Sequence, residues 1–421
     1  MCKLSSLTVG IIGLGYVGLP LALRCLDAGH QVRAFDIDSG KVSSSKNYVQ
    51  RNAMRPEDSL SRFLPSANPQ ILTEAEVIII CVPTPLKNGN PDFSHLKDAA
   101  TTVGRVLSPG TLVVLESTTS PGTTEDLLWR ALDKENRKID ADYYLGYSPE
   151  RINPGADAKE IFKVPKVVSG VTDASAQKAM EFYATIFEHV VEASSTTTAE
   201  ATKLFENSFR LINIAFVNEF ARACSSMGVS VNEVIELASS KPFGFMRFEA
   251  GIGAGGHCIP VDPSYLTDHL KKIKGHQIDL LIHATESNRA QPNYIARWIL
   301  QSLVDMRHTT SNFTFGLIGM SYKADVPDLR ESMSVELASI LNREEHKVFE
   351  FDQFQSESRN ILPMSDLSQS SDLGINVWIV AQPLSGVFNS ATLSFFEDQI
   401  SQGIPVFDLT GRMPSVGCVV L

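Results

Sequence analysis

The stretch TVGIIGLGYVGLPLALRCLDAGHQVRAFD, residues 8–36, decides the fold. The apolar run from Leu7 to Gly13 predicts a buried strand, and the segment from Val17 to Ala28 has the apolar pattern of a helix. A second run, Gln31 to Asp36, predicts another strand. Strand, helix and strand in this order form a βαβ unit, which requires a parallel sheet and a right-handed crossover.

The turn inside this unit has the spacing of a dinucleotide-binding loop. Gly13 permits the tight turn, Gly15 lets the backbone approach a pyrophosphate, and Gly18 lets the helix pack closely on the strand. Asp36 follows after roughly 20 residues, where its carboxylate can accept a hydrogen bond from a ribose hydroxyl. That carboxylate would repel a 2′-phosphate, so NAD is expected rather than NADP. The alternative is a glycine turn without a cofactor. The expected NAD contacts in this unit are Gly13, Gly15, Tyr16, Val17, Gly18 and Asp36.

The rest of the chain alternates between α/β and helical patterns. Further buried strands are predicted at Val77–Cys81, Leu112–Leu115, Tyr143–Tyr147 and Val167–Ser169. Residues 1–197 are therefore expected to form one doubly wound, Rossmann-like domain. Residues 198–300 are expected to be helical, with a long central helix from Ala199 to Met227 that is buried on several sides. Residues 301–421 repeat the opening pattern, beginning with Phe315-Gly-Leu-Ile-Gly319. The predicted fold class is α/β, with two Rossmann-like domains joined by a helical segment.

The composition excludes several classes of partner. The chain has 421 residues, with 37 Lys and Arg against 48 Asp and Glu, a net charge of −11. Such a charge repels phosphate backbones and anionic surfaces, so neither nucleic acid nor a membrane is an expected partner. The six cysteines show no CxxC or CxxH spacing, so neither disulfides nor a bound metal is expected. No signal peptide or membrane-spanning run is recognisable, and the expected location is cytoplasmic.

A second glycine-rich motif, Gly255-Gly-His-Cys258-Ile-Pro-Val-Asp262-Pro263, surrounds a cysteine. Its two glycines let a ligand approach the backbone, and a helix pattern begins just after Pro263. The simplest interpretation of Cys258 is a buried small apolar residue, and that of Asp262 is a helix N-cap. The polar, glycine-rich setting near a helix start also suits a thiolate nucleophile. The residues alone leave both interpretations open.

Two further groups of polar side chains are placed where a crevice is expected. Four of them share one face of the otherwise apolar long helix, namely Glu200, Lys203, Asn207 and Arg210. A lysine there could stabilise a developing oxyanion, whereas the alternative is a solvated face with a Glu–Lys pair. Ser148-Pro-Glu150-Arg151 follows a predicted parallel strand, so Glu150 could order or deprotonate a water. The alternative there is a turn with a surface ion pair.

Taken in order along the chain, these motifs resemble those of the UDP-glucose/GDP-mannose dehydrogenase family. The matching segments are Gly13–Gly18, Val82–Pro85, Glu116–Thr118, Ser148–Arg151, Glu200–Asn207, Gly255–Pro263 and Lys323–Ser332. They cover nearly the whole chain. The resemblance implies a homodimer with a UDP-sugar substrate. It also implies a four-electron oxidation that uses two NAD per turnover.

The resemblance implies roles for individual residues. Cys258 would attack the C6 aldehyde formed in the first oxidation, and the thiohemiacetal would be oxidised to a thioester that water hydrolyses. Lys203 would stabilise the oxyanion, with Asn207 beside it. Asp262 and Glu150 would position or activate waters, and Thr118 would orient one. Further implied NAD contacts are Lys41, Thr84, Thr118 and Arg330. The implied substrate contacts are Glu150, Arg151, Lys203, Asn207, Arg247, Gly255, Lys323 and Arg412.

The run Lys241-Pro-Phe-Gly-Phe245, together with Gly255–Cys258, resembles the family branch that acts on UDP-N-acetylhexosamines. UDP-N-acetylglucosamine is the expected substrate. Three features depart from that branch, namely the run Glu249-Ala-Gly251, the added charge of Arg247 and the longer spacing from Asp408 to Arg412. The alternative substrates are UDP-glucose and UDP-N-acetylmannosamine. The alternative functions are a two-electron dehydrogenase with a structural Cys258 and a non-catalytic nucleotide-sugar binder.

Overall fold

The computed structural model describes residues 6–133, 137–151, 163–308, 312–354, 359–386, 388–413 and 417–421. The chain groups into two compact units, one formed by residues 1–206 and 261–277 and the other by residues 207–260 and 278–421. The second unit takes in residues on both sides of the predicted boundary at 300. The division into three domains stays a prediction.

The first unit is built on an eight-stranded sheet. Its strands are β1 Thr8–Ile12, β2 Gln31–Phe35, β3 Phe63–Ser66, β4 Val77–Ile80, β5 Thr111–Leu115, β6 Tyr143–Tyr147, β7 Lys166–Gly170 and β8 Val190–Glu192. They lie in the order β8-β7-β6-β5-β4-β1-β2-β3. The strands β1 to β6 are all parallel, in the order of a Rossmann fold, and β7 runs antiparallel to β6. The predicted doubly wound sheet is confirmed.

Helices cover both faces of this sheet, because its central strands are apolar on both sides. They are α1 Gly18–Asp27, α2 Ser39–Asn52, α3 Pro56–Arg62, α4 Ser94–Val106, α5 Arg130–Asp133 and α6 Asp173–Tyr183. All four residues of β4 are buried, as a parallel strand between two helical layers requires. Two apolar clusters result, one on each face. The sequence did not predict β3, in which Pro65 is tolerated because the strand lies at the sheet edge.

The predicted long helix is α7, Thr196–Met227, and it spans 32 residues. Its residues up to Glu206 belong to the first unit and the remainder to the second. The expectation that it is buried on several sides is wrong for one side. Phe205 is 70% exposed and Phe216 is 66% exposed. Three further helices follow, namely α8 Val231–Ser239, α9 Asp262–Lys274 and α10 Asp279–Asp305. None of the described helices combines the length and apolarity needed to cross a bilayer.

The second unit contains a six-stranded sheet that repeats the arrangement of the first. Its strands are β9 Thr314–Ile318, β10 Lys347–Asp352, β11 Ile361–Pro363, β12 Val377–Val380, β13 Val406–Asp408 and β14 Val419–Val420. All are parallel, in the order β11-β10-β9-β12-β13-β14. The helices α11 Met333–Arg343 and α12 Ser390–Ser401 accompany them. The predicted second Rossmann-like domain is confirmed.

Candidate active site

The glycine turn between β1 and α1 needs a different property from each glycine. Gly13 has a positive φ of 96°, which a side chain would strain. A Cβ on Gly18 would overlap the carbonyl oxygen of Gly13, so this glycine permits the close packing of helix and turn. A Cβ on Gly15 would meet nothing within 4 Å. The backbone at Gly15 is therefore open to an approaching group, as a pyrophosphate site requires.

Asp36 follows β2 and faces this turn. Its carboxylate accepts hydrogen bonds from the backbone N–H of Leu14 at 2.8 Å and of Asp38 at 2.9 Å. The Lys41 ammonium lies 3.9 Å from Asp36 Oδ2, and the lysine side chain is 46% exposed. An oriented carboxylate beside an open backbone at a helix start fits the ribose and pyrophosphate of NAD. Tyr16, next to the open glycine, is half exposed.

The loops after β4 and β5 are joined by Thr84 and Thr118. The buried Thr84 hydroxyl donates to the carbonyl of Thr118 at 2.8 Å. The hydroxyl of Tyr265, on α9, donates to the carbonyl of Thr84. Tyr265 is completely buried, and no sequence motif pointed to it. The two loops expected to contact NAD are thus fixed to the helix that begins at Asp262.

Glu200 holds the chain that follows Thr118. Its carboxylate accepts hydrogen bonds from the backbone N–H of Gly122 at 2.5 Å and of Thr124 at 2.8 Å, and from the Thr124 hydroxyl at 2.7 Å. Burial raises the pKa of Glu200 to about 7, and these donors oppose the rise. Glu200 is fully buried, so the alternative of a solvated Glu–Lys face is wrong.

Lys203, one helical turn after Glu200, binds Glu150 instead. Its ammonium lies 2.5 Å from the carbonyl oxygen and 3.5 Å from the carboxylate oxygen Oε2 of Glu150. Both side chains are buried, so the alternative of a surface ion pair is wrong for Glu150. Burial raises the pKa of Glu150, while the ammonium groups of Lys203 and Lys166 lower it.

Two further predicted residues, Arg151 and Asp262, belong to the first unit. The Arg151 guanidinium binds the carboxylate of Glu206 and the carbonyl of Pro165. Asp262 is buried and is the first residue of α9, whereas Val261 is its N-cap. The N-cap interpretation of Asp262 is therefore wrong by one position. The helix also begins one residue earlier than Pro263.

In the second unit, the Cys258 thiol is exposed. The interpretation of Cys258 as a buried core residue is therefore wrong. The preceding Gly255 and Gly256 are buried, and a Cβ on Gly256 would overlap the ring of Tyr322. The motif thus needs glycine for close packing, while its thiol remains accessible. Asn207, on α7, is buried.

The other described cysteines differ from Cys258. Cys25, Cys81 and Cys224 are buried and Cys418 is partly buried, and all four are free thiols. Burial raises the pKa of Cys25 and Cys81 well above the usual range. It raises that of Cys418 to about 12. Cys2 lies outside the described residues.

The loop after β9 carries two of the predicted ligand contacts. Burial, with a contribution from the nearby Arg210, lowers the pKa of Lys323. The Arg330 guanidinium binds Asp328 through two nitrogens, at 3.0 and 2.6 Å. Burial and the charge of Arg330 lower the pKa of His257, which precedes the accessible thiol. This loop is the insertion that distinguishes the second sheet from the first.

Arg247 and Arg412 share a carboxylate. Arg247 lies 3.4 Å from Glu249 and 2.6 Å from Glu236, and Arg412 lies 3.4 Å from the other oxygen of Glu249. These side chains are about half exposed, so the pairs contribute little to stability. They join the two segments that depart from the expected branch pattern.

Comparison with known proteins agrees with this arrangement. Residues 7–191 match the model of the UDP-glucose/GDP-mannose dehydrogenase family NAD binding domain, and residues 197–290 match that of the central domain. Protein CapL of Staphylococcus aureus is 36% identical over 78% of each chain. The chain belongs to the UDP-glucose/GDP-mannose dehydrogenase family. It is an NAD-dependent nucleotide-sugar dehydrogenase.

Two further members of the family show how far the likeness extends. A UDP-N-acetyl-D-glucosamine 6-dehydrogenase of Salmonella typhi is 33% identical over 88% of this chain and 89% of its own. The solved structure of a UDP-D-ManNAc dehydrogenase from Pyrococcus horikoshii has a TM-score of 0.84 and 28% identity, over 98% of each chain. The family resemblance predicted from the motifs is confirmed.

Several buried groups of this dehydrogenase were not predicted. Glu116 follows β5, and its carboxylate binds the ammonium of Lys166 at 2.8 Å and the hydroxyl of Tyr183. Glu116 belongs to a motif that was recognised, but the motif said nothing about its partners. They are distant in sequence, and only the fold brings them together.

We predict that alanine affects a different property at each of two glycines of the NAD turn, namely NAD binding at Gly15 and stability at Gly18. Gly15→Ala leaves the stability within about 0.5 kcal/mol, because its methyl group meets no protein atom, but weakens NAD binding. Gly18→Ala lowers the stability by about 1–3 kcal/mol, because the methyl group overlaps the turn. Thermal unfolding without NAD and NAD titration by protein fluorescence measure the two effects. Parental NAD affinity in Gly15→Ala would contradict the predicted pyrophosphate site.

Proposed function

We propose that this dehydrogenase oxidises the C6 hydroxymethyl group of a UDP-N-acetylhexosamine to a carboxylate. UDP-N-acetylglucosamine is the first candidate for this substrate. The observation that supports this most is the buried Lys203 ammonium against Glu150, at the carboxyl end of β6. Ligands bind at that edge of a parallel sheet. A desolvated cation there stabilises negative charge that develops on oxygen.

The residues divide the proposed reaction between them. NAD, when bound, accepts two electrons in each of the two oxidations. The Cys258 sulfur adds to the C6 aldehyde, and Lys203 stabilises the oxyanion that this addition creates. Oxidation of the thiohemiacetal leaves a thioester on Cys258. Glu150 and Asp262 orient the water that hydrolyses it, which releases the thiol and the uronic acid.

The proposed choice of sugar rests on two relatives and on the side chains Arg247 and Arg412. The Salmonella relative is named for UDP-N-acetyl-D-glucosamine and the Pyrococcus structure for UDP-D-ManNAc, so UDP-N-acetylmannosamine is the second candidate. Both carry an N-acetyl group at C2 and differ in its orientation. We propose that Arg247 and Arg412, joined through Glu249, face the sugar and contribute to this choice.

We predict that UDP-N-acetylglucosamine yields two NADH per sugar consumed. The physical reason is that the aldehyde is trapped on the enzyme and oxidised again before release. A panel of UDP-glucose, UDP-N-acetylglucosamine and UDP-N-acetylmannosamine, assayed by NADH absorbance and product analysis, measures both preference and stoichiometry. One NADH per sugar would indicate a two-electron dehydrogenase, and none with any sugar would indicate a binding protein.

We predict that Cys258→Ser and Cys258→Ala lose acid formation by several orders of magnitude but keep nucleotide binding. Serine is the weaker nucleophile near neutral pH, and alanine has none. Steady-state production of the uronic acid measures the loss, and NAD titration measures binding. Cys418→Ser, which changes another thiol of the second unit, is the matched control and stays at the parental rate. Acid formation by Cys258→Ala at the parental rate would contradict the thioester mechanism.

We propose that the enzyme is a cytoplasmic homodimer that uses the exposed stripe of α7. Phe205, Phe209 and Phe216 lie four and seven residues apart, which places them on one side of the helix. They are 70%, 40% and 66% exposed in the single chain. A second copy that presents the same stripe would bury them by two-fold symmetry.

We predict that Phe216→Glu converts the dimer to a monomer, because each interface would then bury two like charges. Sedimentation velocity measures the state. Met54→Glu, an exposed apolar residue of the first unit, is the control and remains dimeric. A parent protein that sediments as a monomer would contradict the proposed interface.

A further inference from the structure

Lys166 is a buried cation that touches both loops of the proposed catalytic edge. Its ammonium lies 2.8 Å from the carboxylate of Glu116 and 3.3 Å from the carbonyl oxygen of Pro149. Glu116 stands two residues before Thr118, and Pro149 directly precedes Glu150. One ammonium therefore joins the exits of the adjacent parallel strands β5 and β6.

The antiparallel strand β7 brings Lys166 to this position. Tyr147, at the end of β6, pairs with Ser169, and the Ser148 hydroxyl donates to the carbonyl of Val167 at 2.6 Å. The residues that follow β6 therefore lie beside β7 and run antiparallel to it, toward Lys166, the first residue of β7. A parallel strand in that place would present its last residue there instead.

The surroundings of the pair allow little movement. Lys166 and Glu116 are 5% and 2% exposed. The Tyr183 hydroxyl donates to the other oxygen of Glu116, and the Lys166 ammonium lies 5.3 Å from the centre of the Tyr183 ring. The ring of Phe187 lies at a similar distance, 5.4 Å. The ammonium is thus held by a carboxylate, a carbonyl and two aromatic faces.

Stability alone does not explain a buried ion pair at this position. The free-energy cost of removing two charges from water is roughly as large as the gain from their attraction. Well-packed apolar residues of similar volume often stabilise a fold equally well. What an apolar pair could not do is bind the carbonyl before Glu150 while it holds the carboxylate before Thr118. An apolar pair would also remove one positive and one negative charge from the surroundings of Glu150.

We propose that Lys166 and Glu116 are positioning residues for the reaction, and that their ion pair fixes the backbone that carries Thr118 and Glu150. The inference rests on the proposed role of Glu150. The charged and titratable groups around Glu150 include Lys203 on α7, Lys166 on β7, Glu116 after β5, Tyr147 on β6 and Cys81 after β4. The lysines favour the ionised carboxylate, and Glu116 opposes it.

Three variants test the inference through the pH dependence of kcat. Lys166→Met lowers kcat by about tenfold to a hundredfold, because Glu150 is displaced, and moves the acid limb to higher pH. Glu116→Gln moves the acid limb to lower pH, because it removes a negative neighbour. The double variant buries no unpaired charge, so its thermal unfolding stays close to the parent's, yet its kcat remains low.

A matched pair and one conservative variant serve as controls. Glu350 and Arg359 form a less buried ion pair in the second unit, with side chains that are 10% and 29% exposed, and Glu350→Gln with Arg359→Met leaves kcat and its pH profile unchanged. Tyr183→Phe keeps both charges and leaves the acid limb in place. A double variant of Lys166 and Glu116 with the parental kcat would overturn the inference. So would single variants that shift the acid limb in the same direction.

Glu150→Gln separates failure of this inference from failure of the proposed function. If Glu150→Gln keeps the parental kcat and acid limb, the proposed role of Glu150 is wrong, and the inference falls with it. If Glu150→Gln is impaired while the Lys166 and Glu116 variants behave as the parent, only the positioning role is wrong. All variants are assayed as full-length protein with the UDP-sugar that the parent oxidises fastest.

Discussion

The carboxyl edge of the first sheet depends on the burial of charge. The ammonium of Lys203 is enclosed against Glu150, and charges removed from water persist only where other groups replace the lost solvent. The structure provides such groups on several elements. Backbone N–H groups surround Glu200, and Lys166 accompanies Glu116. Each of these contacts also holds a loop or a helix that carries a proposed catalytic residue, so the groups that compensate the buried charges also fix the geometry of the site.

The two sheets use one device in two ways. In both, a glycine of positive φ follows the first strand and donates its N–H to the second strand, as Gly13 does to Phe35 and Gly319 to Phe351, each at 2.9 Å. In both, the aspartate that follows is turned toward the glycine loop. Asp352 is completely buried, and one of its carboxylate oxygens accepts hydrogen bonds from the backbone N–H groups of Met320 and Ser321. Asp36 is 6% exposed. The aspartate of the second sheet is therefore the more enclosed of the two.

Sequence periodicity was sufficient for most of the architecture, because apolar runs between glycine turns determine where strands and helices form. The motifs also located Lys203 and Glu150, since each has a fixed place on its element. Lys166, Tyr183 and Tyr265 were not predicted, because their partners are distant in sequence and no local pattern marks them. Solvent exposure was the other property that the sequence did not predict. A glycine-rich motif does not say whether the thiol of Cys258 points outward, and the apolar stripe of α7 looked like core.

The distribution of thiols has a practical and physiological consequence. Among the described cysteines, Cys258 is the exposed one, while the others are wholly or partly enclosed. Thiolates react with oxidants and alkylating reagents, and enclosed thiols with a raised pKa hardly form them. Electrophiles and peroxide would therefore reach the proposed nucleophile before they damage the core. Among the described cysteines, the same asymmetry favours labelling of Cys258 by a maleimide dye over labelling of the enclosed thiols.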